Sequence, residues 1–292
     1  MAELEVTHFT DPGCPWAYSA SPAMAVLRWR YGAQLRWRLV PIGLAEDTRR
    51  YLEAGRTPAA TNASWVGYRR RFGMPFTSQP RERIPATGRA CRALVATRLL
   101  APGREHDALR ALQFAWFTST LVPDEDDAIA AALAPVDGLD PAAVVAAIDD
   151  ERTEEAYQRD RAEARSAEGG AGEFQGKARS TDGPVRHSAP SLIFTAADGR
   201  SVEAGGFQPI EAYDVLIANV DRSLQRRGAA EDPAAALAEF PGGLVTQELA
   251  AVMAPNLADP DRDGAERALV SLAGEGAVRR TPLGDDALWQ LA

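Results

Sequence analysis

Two cysteines, Cys14 and Cys91, are all that 292 residues contain. That leaves room for one bridge at most and none for the disulfide framework of a small secreted domain, so the expected location is the cytoplasm. Histidine is equally scarce, three residues scattered along the chain, and nothing has the ligand spacing of a zinc or iron–sulfur site. No stretch reaches the ~18 consecutive apolar residues of a membrane span. Met1 to Glu5 holds two acids and no basic segment, unlike the start of a signal peptide. Lysine is nearly missing, with Lys177 alone, and the formal net charge is −9. A chain this acidic lacks the basic footprint of a nucleic-acid binder as a whole. Gly205-Gly206 lacks the strand–turn–helix spacing of a dinucleotide fingerprint.

What is present is apolar enough for a substantial core. Hydrophobic residues make up 46% of the chain, which suits one large domain with an insertion, or two domains. Arginine is unevenly placed: Arg28 to Arg104 holds 16 arginines against four acids, and the remainder is correspondingly acidic. Leu4 to Phe9 reads as a buried strand, Tyr18 to Arg30 as a helix stopped by Gly32, and Leu35 to Val40 as a strand ended by Pro41. Strand, helix and strand in this order form a βαβ beginning, so a parallel pair is expected. Residues 45–168 carry helical patterns only. Leu109, Leu112, Ala115 and Trp116 make one apolar stripe, and Cys91 lies beside Leu94 and Val95 in another helix. The acids Asp124 to Asp127 cap a further helix, and Glu151 to Ala167 is polar enough to predict a solvated one. Glu168 to Arg186, rich in Gly, Ala, Ser and charge, reads as a loop.

After Pro190, Ser191 to Phe194 and Ser201 to Ala204 predict a hairpin, and Pro209 to Gln225 a helix. Beyond Gly228 three short helices and a terminal hairpin suggest a winged helix-turn-helix. Its charge is wrong for DNA: residues 228–292 hold eleven acids and four arginines, and Asp261, Asp263 and Glu266 begin the helix in the recognition position. A protein-interaction or dimerisation module is the better reading.

The stretch with chemistry is Asp11-Pro12-Gly13-Cys14-Pro15-Trp16-Ala17, between the first strand and its helix. A helix N-terminus presents unpaired N–H groups and partial positive charge, which favour a thiolate over a thiol. Pro15 suits the first helical turn, where its missing N–H costs nothing. A dithiol site would read Cys-x-x-Cys, and its fourth position here is Ala17.

Phe9-x-Asp11-x-x-Cys14-Pro15-Trp16, the long helical insertion, Ala189-Pro190-Ser191-Leu192-Ile193-Phe194 and Gly206-Phe207-Gln208 before a helix together resemble the DsbA-like thioredoxin-fold proteins. Within them the chain looks like the FrnE-type and 2-hydroxychromene-2-carboxylate isomerase-like branch, which includes kappa-class glutathione transferases. The resemblance covers roughly residues 3–226. It implies an α/β, thioredoxin-like fold built from residues 1–44 and 187–227, an inserted helical domain and loop at 45–186, and a winged-helix-like C-terminal module at 228–292 outside the resemblance. It also implies a cis-proline at Pro190 facing the Cys14 helix end, with the backbone at Ala189 pairing with an extended thiol substrate. In dithiol members a second cysteine resolves the mixed disulfide; Ala17 occupies that position. In the isomerase and transferase branch a serine usually stands where Cys14 does.

The residues therefore point to a thiol-dependent oxidoreductase or transferase using Cys14 alone, with a low-molecular-weight thiol of the glutathione or mycothiol type as co-substrate and no tightly bound cofactor. The alternatives are a non-catalytic thioredoxin-fold adaptor, and a small-thiol-dependent isomerase of an aromatic compound with a pocket lined by Trp16, Trp65 or Phe76. Trp16 either walls the substrate or packs the helix onto the insertion. His187, in the loop before Pro190, is placed to donate to a thiolate or to orient substrate, whereas His8 on the first strand reads more plainly as a packed core histidine. Cys91 reads as a small buried hydrophobe, a resolving role across space being the alternative. An anionic small thiol would favour a basic rim, which the arginine-rich 28–104 region could supply; Arg69-Arg70-Arg71 is its densest cluster, though three consecutive helical positions cannot all face one site, and a solvated positive face is the plainer reading.

Overall fold

The computed structural model describes residues 3–292. The chain opens with β1 (Leu4–Thr10), turns at Asp11 to Gly13, and enters α1 (Pro15–Ser19) and α2 (Ser21–Tyr31) before β2 (Leu35–Pro41). The single helix expected from Tyr18 to Arg30 is thus two. Pro22 has no N–H to give the carbonyl one turn back, and its ring excludes a straight continuation, so α2 starts afresh around it. Gly32 stops α2 with φ +53, a conformation that glycine adopts freely.

The insertion follows as α3 (Arg49–Glu53), α4 (Pro58–Phe72), α5 (Gly88–Leu100), α6 (Glu105–Thr118), α7 (Asp126–Leu133), α8 (Pro141–Ala146), α9 (Glu151–Ala164) and α10 (Ala171–Phe174). The chain then returns through β3 (Ser191–Thr195), β4 (Ser201–Ala204) and α11 (Ile210–Val220). It finishes with α12 (Pro233–Ala238), β5 (Leu244–Val245), α13 (Thr246–Met253), α14 (Arg262–Gly274), β6 (Val278–Leu283) and β7 (Asp286–Leu291).

The main sheet has the order β2-β1-β3-β4. β1 runs parallel to β2, Leu4 opposite Leu35, and antiparallel to β3, Phe9 opposite Ser191. That register decides where the site lies. Ser191 opposes the penultimate residue of β1, so Ala189 and Pro190 fall beside the turn that carries Cys14.

Leu4, Val6, Leu192 and Phe194 pack with Leu27 of α2 and Tyr213 and Ile217 of α11. The helical insertion has its own core around Leu94, Leu112, Ile129 and Ile148, joined to the sheet by Leu39. α9 differs from the solvated helix its polarity predicts. Thr153, Ala156, Tyr157, Asp160 and Ala164 are buried, because Arg92 and Arg98 of α5 take Glu154 and Asp160, and Tyr157 donates to Glu46. Asp124 is drawn away from capping: Arg83 and the Ala86 N–H hold it, while Asp126 and Asp127 occupy the first turn of α7. The loop before β3 is partly ordered by α10 and by paired backbone hydrogen bonds between Arg179 and Arg186.

The C-terminal helices and the antiparallel sheet β5-β7-β6 enclose Leu237, Leu249, Leu269 and Trp289 in one core with Val26 and Trp29 of α2. They are docked on α2, the second helix after the cysteine. Among the described residues no helix is long and apolar enough to cross a membrane.

Candidate functional site

The turn after β1 is built by Asp11. Its carboxylate is fully buried and accepts from the N–H of Gly13 at 2.9 Å and of Leu44 at 2.8 Å. Burial raises its pKa while these donors oppose the rise. Gly13 is required by close approach: a Cβ there would lie 2.6 Å from Thr87 Cγ2 and 2.7 Å from the Trp116 ring. These contacts seat the turn against α5 and α6 and aim Cys14 into the space beyond.

Cys14 occupies the N-cap of α1, 6% exposed, and its thiol donates to the Ala189 carbonyl at 3.3 Å. The Ala189–Pro190 peptide is cis. The thiolate-favouring setting expected from the sequence is outweighed. Burial pushes the Cys14 thiol up to about 12 against the pull of the Ala17 N–H, Asp11 adds to the rise, and the Trp16 N–H and Arg186 oppose it. A five-residue helix supplies too little field to overcome removal of the sulfur from water. Cys91 is fully buried in α5 with its sulfur 3.5 Å from Asp11 Oδ2, and burial followed by that carboxylate drives its pKa far upward. Both cysteines are free.

Cys14 opens into a cleft of about 910 Å³ between the thioredoxin-like unit and the insertion. Pro15, Trp16, Trp65 and Ala189 line it with the cysteine. Trp16 is 39% exposed and stands at the rim, its ring edge-on to Tyr68 at 5.2 Å, Phe72 at 5.6 Å and Phe207 at 6.0 Å. Phe76 does not line the cleft; it is buried behind it, packed on Tyr18, Trp65 and Phe117. Ala17 is buried among Phe9, Val40 and Ile42, one turn beyond the cysteine and below the cleft wall. His187 also turns inward: its ring stacks on Phe9 at 4.2 Å, and Nδ1 lies 3.0 Å from Glu203. That contact holds the Glu203 carboxyl below its ordinary range. Arg69-Arg70-Arg71 forms the last turn of α4 and does not line the cleft: Arg69 pairs with Asp285 of the C-terminal module, while the Arg71 guanidinium lies over the Trp16 ring at 6.0 Å.

Sequence reasoning missed Arg186, Tyr51, Thr87 and Trp116, all of which line the cleft. Arg186 adjoins the proposed His187 and was within reach, since alternate residues of an extended strand face opposite ways. The other three gave no local signal, because only the packing of the insertion brings them to the cysteine. Among the described residues no group of three or more His, Cys, Asp or Glu is placed to hold a metal ion.

In solved structures the fold resembles a protein from Nitrosomonas europaea provisionally described as a protein disulfide isomerase, at 18% identity and TM-score 0.54 over 74% of this chain and 97% of that one. A protein from Streptomyces coelicolor, provisionally described as a DsbA oxidoreductase, matches at 16% identity and TM-score 0.54 over 79% of this chain and 94% of that one. The cytosolic disulfide reductase DsbM of Pseudomonas aeruginosa, solved with GSH, matches at 17% identity and TM-score 0.49 over 68% of this chain and 89% of that one. No curated protein matches in sequence. The profile of the DsbA-like thioredoxin domain matches residues 5–168, more than half of the chain, so the chain belongs to the DsbA-like thioredoxin-domain family.

Proposed function

We propose that the protein is a thiol-dependent oxidoreductase or transferase in which Cys14 alone exchanges with a small disulfide and a small thiol. One observation carries this reading: a single sulfur lies at the base of an open cleft, 3.3 Å from the Ala189 carbonyl, with alanine where a resolving cysteine would stand. Cys14 Sγ attacks one sulfur of a small disulfide. The Cys14–substrate S–S bond forms, the substrate S–S bond breaks, and the departing thiolate takes the proton that Cys14 releases. A second small thiol then attacks the substrate sulfur of the mixed disulfide, returning Cys14 to its thiol and leaving as a new disulfide. The sum is thiol–disulfide exchange with no external oxidant. Glutathione- and mycothiol-type thiols suit the second step, and the aromatic walls at Trp16 and Trp65 suit an organic substrate. The raised pKa of Cys14 favours the adaptor reading in its place, since attack requires the thiolate.

Within the family the Phe9-to-Trp16 motif supports the FrnE-type and isomerase-like branch. The order α12, β5, α13, α14, β6, β7 supports a winged-helix-like module, used for packing on α2 rather than for nucleic acid.

The test uses Cys91→Ala, so that one thiol remains. Incubated with hydroxyethyl disulfide, the folded protein is expected to gain one adduct at Cys14 by mass spectrometry and lose it on addition of glutathione. An adduct that forms only after unfolding would establish the adaptor reading.

A further inference from the structure

We infer that the cleft above Cys14 takes a small organic polyanion, so that the molecule exchanged there carries at least two acid groups; the sulfur chemistry, though not the anion site, rests on the exchange proposed above. Acids outnumber bases in the chain, 41 to 32, yet no Asp or Glu lines the cleft. Seven cations do. Two of them are occupied. Arg83 is paired with Asp124 and Glu125, and Arg81 gives its donors to the carbonyls of Ala115, Trp116 and Leu121.

The other five, Arg50, Arg56, Lys177, Arg179 and Arg186, meet no carboxylate among the described residues, although Arg179 gives one guanidinium nitrogen to the carbonyls of Gly176 and Ala178. On the neighbouring helix α5 and on α9 with its C-cap, by contrast, Arg89, Arg92, Arg98, Arg161 and Arg165 are each ion-paired. Two separate segments bring the five together. Arg50 and Arg56 stand on the lip formed by α3 and the loop after it, while Lys177, Arg179 and Arg186 come from the segment before β3. Arg50 reaches the opposite lip, 3.4 Å from the Thr181 carbonyl.

Arg186 is the strongest member. It is 5% exposed, and its guanidinium donates only to neutral partners, Thr181 Oγ1 at 3.1 Å and the His187 carbonyl at 2.9 Å. Asp11 lies in its field but is engaged with Gly13, Leu44 and Cys91 and forms no ion pair with it. Burying a guanidinium without a counter-charge is costly. Cations left open at the mouth of a low-dielectric cleft focus field on an entering anion. Trp65, Tyr68 and Trp116 line the same space with apolar surface for an organic body, and its volume is that of a small-molecule site rather than a protein groove.

The experiment compares two aromatic disulfides, dianionic dithiobis(nitrobenzoate) and neutral dithiodipyridine, reacting with Cys14 in Cys91→Ala. N-acetylcysteine amide supplies the intrinsic reactivity ratio. Relative to that ratio, the dianion is expected to be favoured about tenfold or more, with the preference falling as salt rises. The preference should drop about tenfold in Arg50→Gln/Arg56→Gln and in Arg186→Gln. Should R186Q fail to fold, the double variant at two exposed positions carries the test. A ratio equal to that of the small thiol overturns the anion site and leaves exchange at Cys14 standing. If neither reagent reacts, exchange is overturned, and calorimetry with biphenyl dicarboxylate decides the anion site. Binding that weakens in the double variant supports it, and no binding overturns it.

Discussion

At the scale of single residues the site turns on one competition. Helix N–H groups and Arg186 favour the Cys14 thiolate, while burial and Asp11 disfavour it, and burial wins. A value pushed up to about 12 leaves about a thousandfold less thiolate at neutral pH than an ordinary thiol near 9 would have. Alkylation of Cys14 by iodoacetamide in Cys91→Ala is therefore expected to keep rising through the alkaline range. A plateau between about pH 6 and 8 would show instead a tuned thiolate in the resting protein. The neighbouring position makes a second prediction. Ala17 stands one turn beyond Cys14, at the spacing of a Cys-x-x-Cys pair, so Ala17→Cys is expected to form a disulfide with Cys14 under mild oxidation. Intact mass would read the loss of two hydrogens. Retention of both thiols would show that the buried wall of Phe9, Val40 and Ile42 holds the new side chain away.

At the scale of elements, the C-terminal module and the cysteine-bearing unit are one packed body through α2 and α13. A buried polar tie joins the module to the insertion, the pair between Arg110 of α6 and Glu248 of α13. Glu248 is fully buried, and it also accepts from the Val245 N–H. Removing it leaves Arg110 without its partner and the start of α13 without its cap. Glu248→Ala is expected to cost about 3–5 kcal/mol in a urea unfolding experiment, with Glu248→Gln intermediate because it keeps an acceptor. A loss below ~1 kcal/mol would mean that Arg110 finds water at once. Elements of this kind were largely legible in sequence, since apolar periodicity and caps are local: the strands at Leu4 and Ser191 and the helices at Gly88 and Thr246 follow from their own residues. α9 was not legible as a buried helix, because its burial depends on arginines of α5 that lie some sixty positions earlier.

At the scale of the molecule, the cysteine and the proline opposite it could be found from motif and order, whereas the cleft could not. Its five cations that meet no carboxylate come from two segments over a hundred residues apart, and the densest basic run, Arg69 to Arg71, does not line it. The same limit hides a basic cluster between the sheet and the insertion. His8 of β1, Trp37 of β2 and His106 of α6 form a ladder of edge-on rings, at 6.2 and 5.8 Å, with the Arg28 guanidinium of α2 over Trp37 at 5.1 Å. Burial, then Arg28, lowers the His8 pKa to about 3, and the same two causes and His8 lower that of His106. Both histidines are held neutral in the fold and ionise freely once unfolded. Their contribution is complete above the unfolded value near 6.5 and is lost as pH falls toward the folded one. Acidification from pH 6.5 to 4 should therefore weaken the seam that joins the sheet to the insertion, by about 1.4 kcal/mol per pH unit for His8, with His106 acting in the same direction. Carboxylates titrate in the same window, so the decisive quantity is a difference between variants. His8→Phe keeps a ring against Trp37 and removes the proton, and it is expected to flatten the pH dependence of the urea midpoint by about one proton's worth. An unchanged slope would show that the buried ring of His8 accepts a proton without opening the seam.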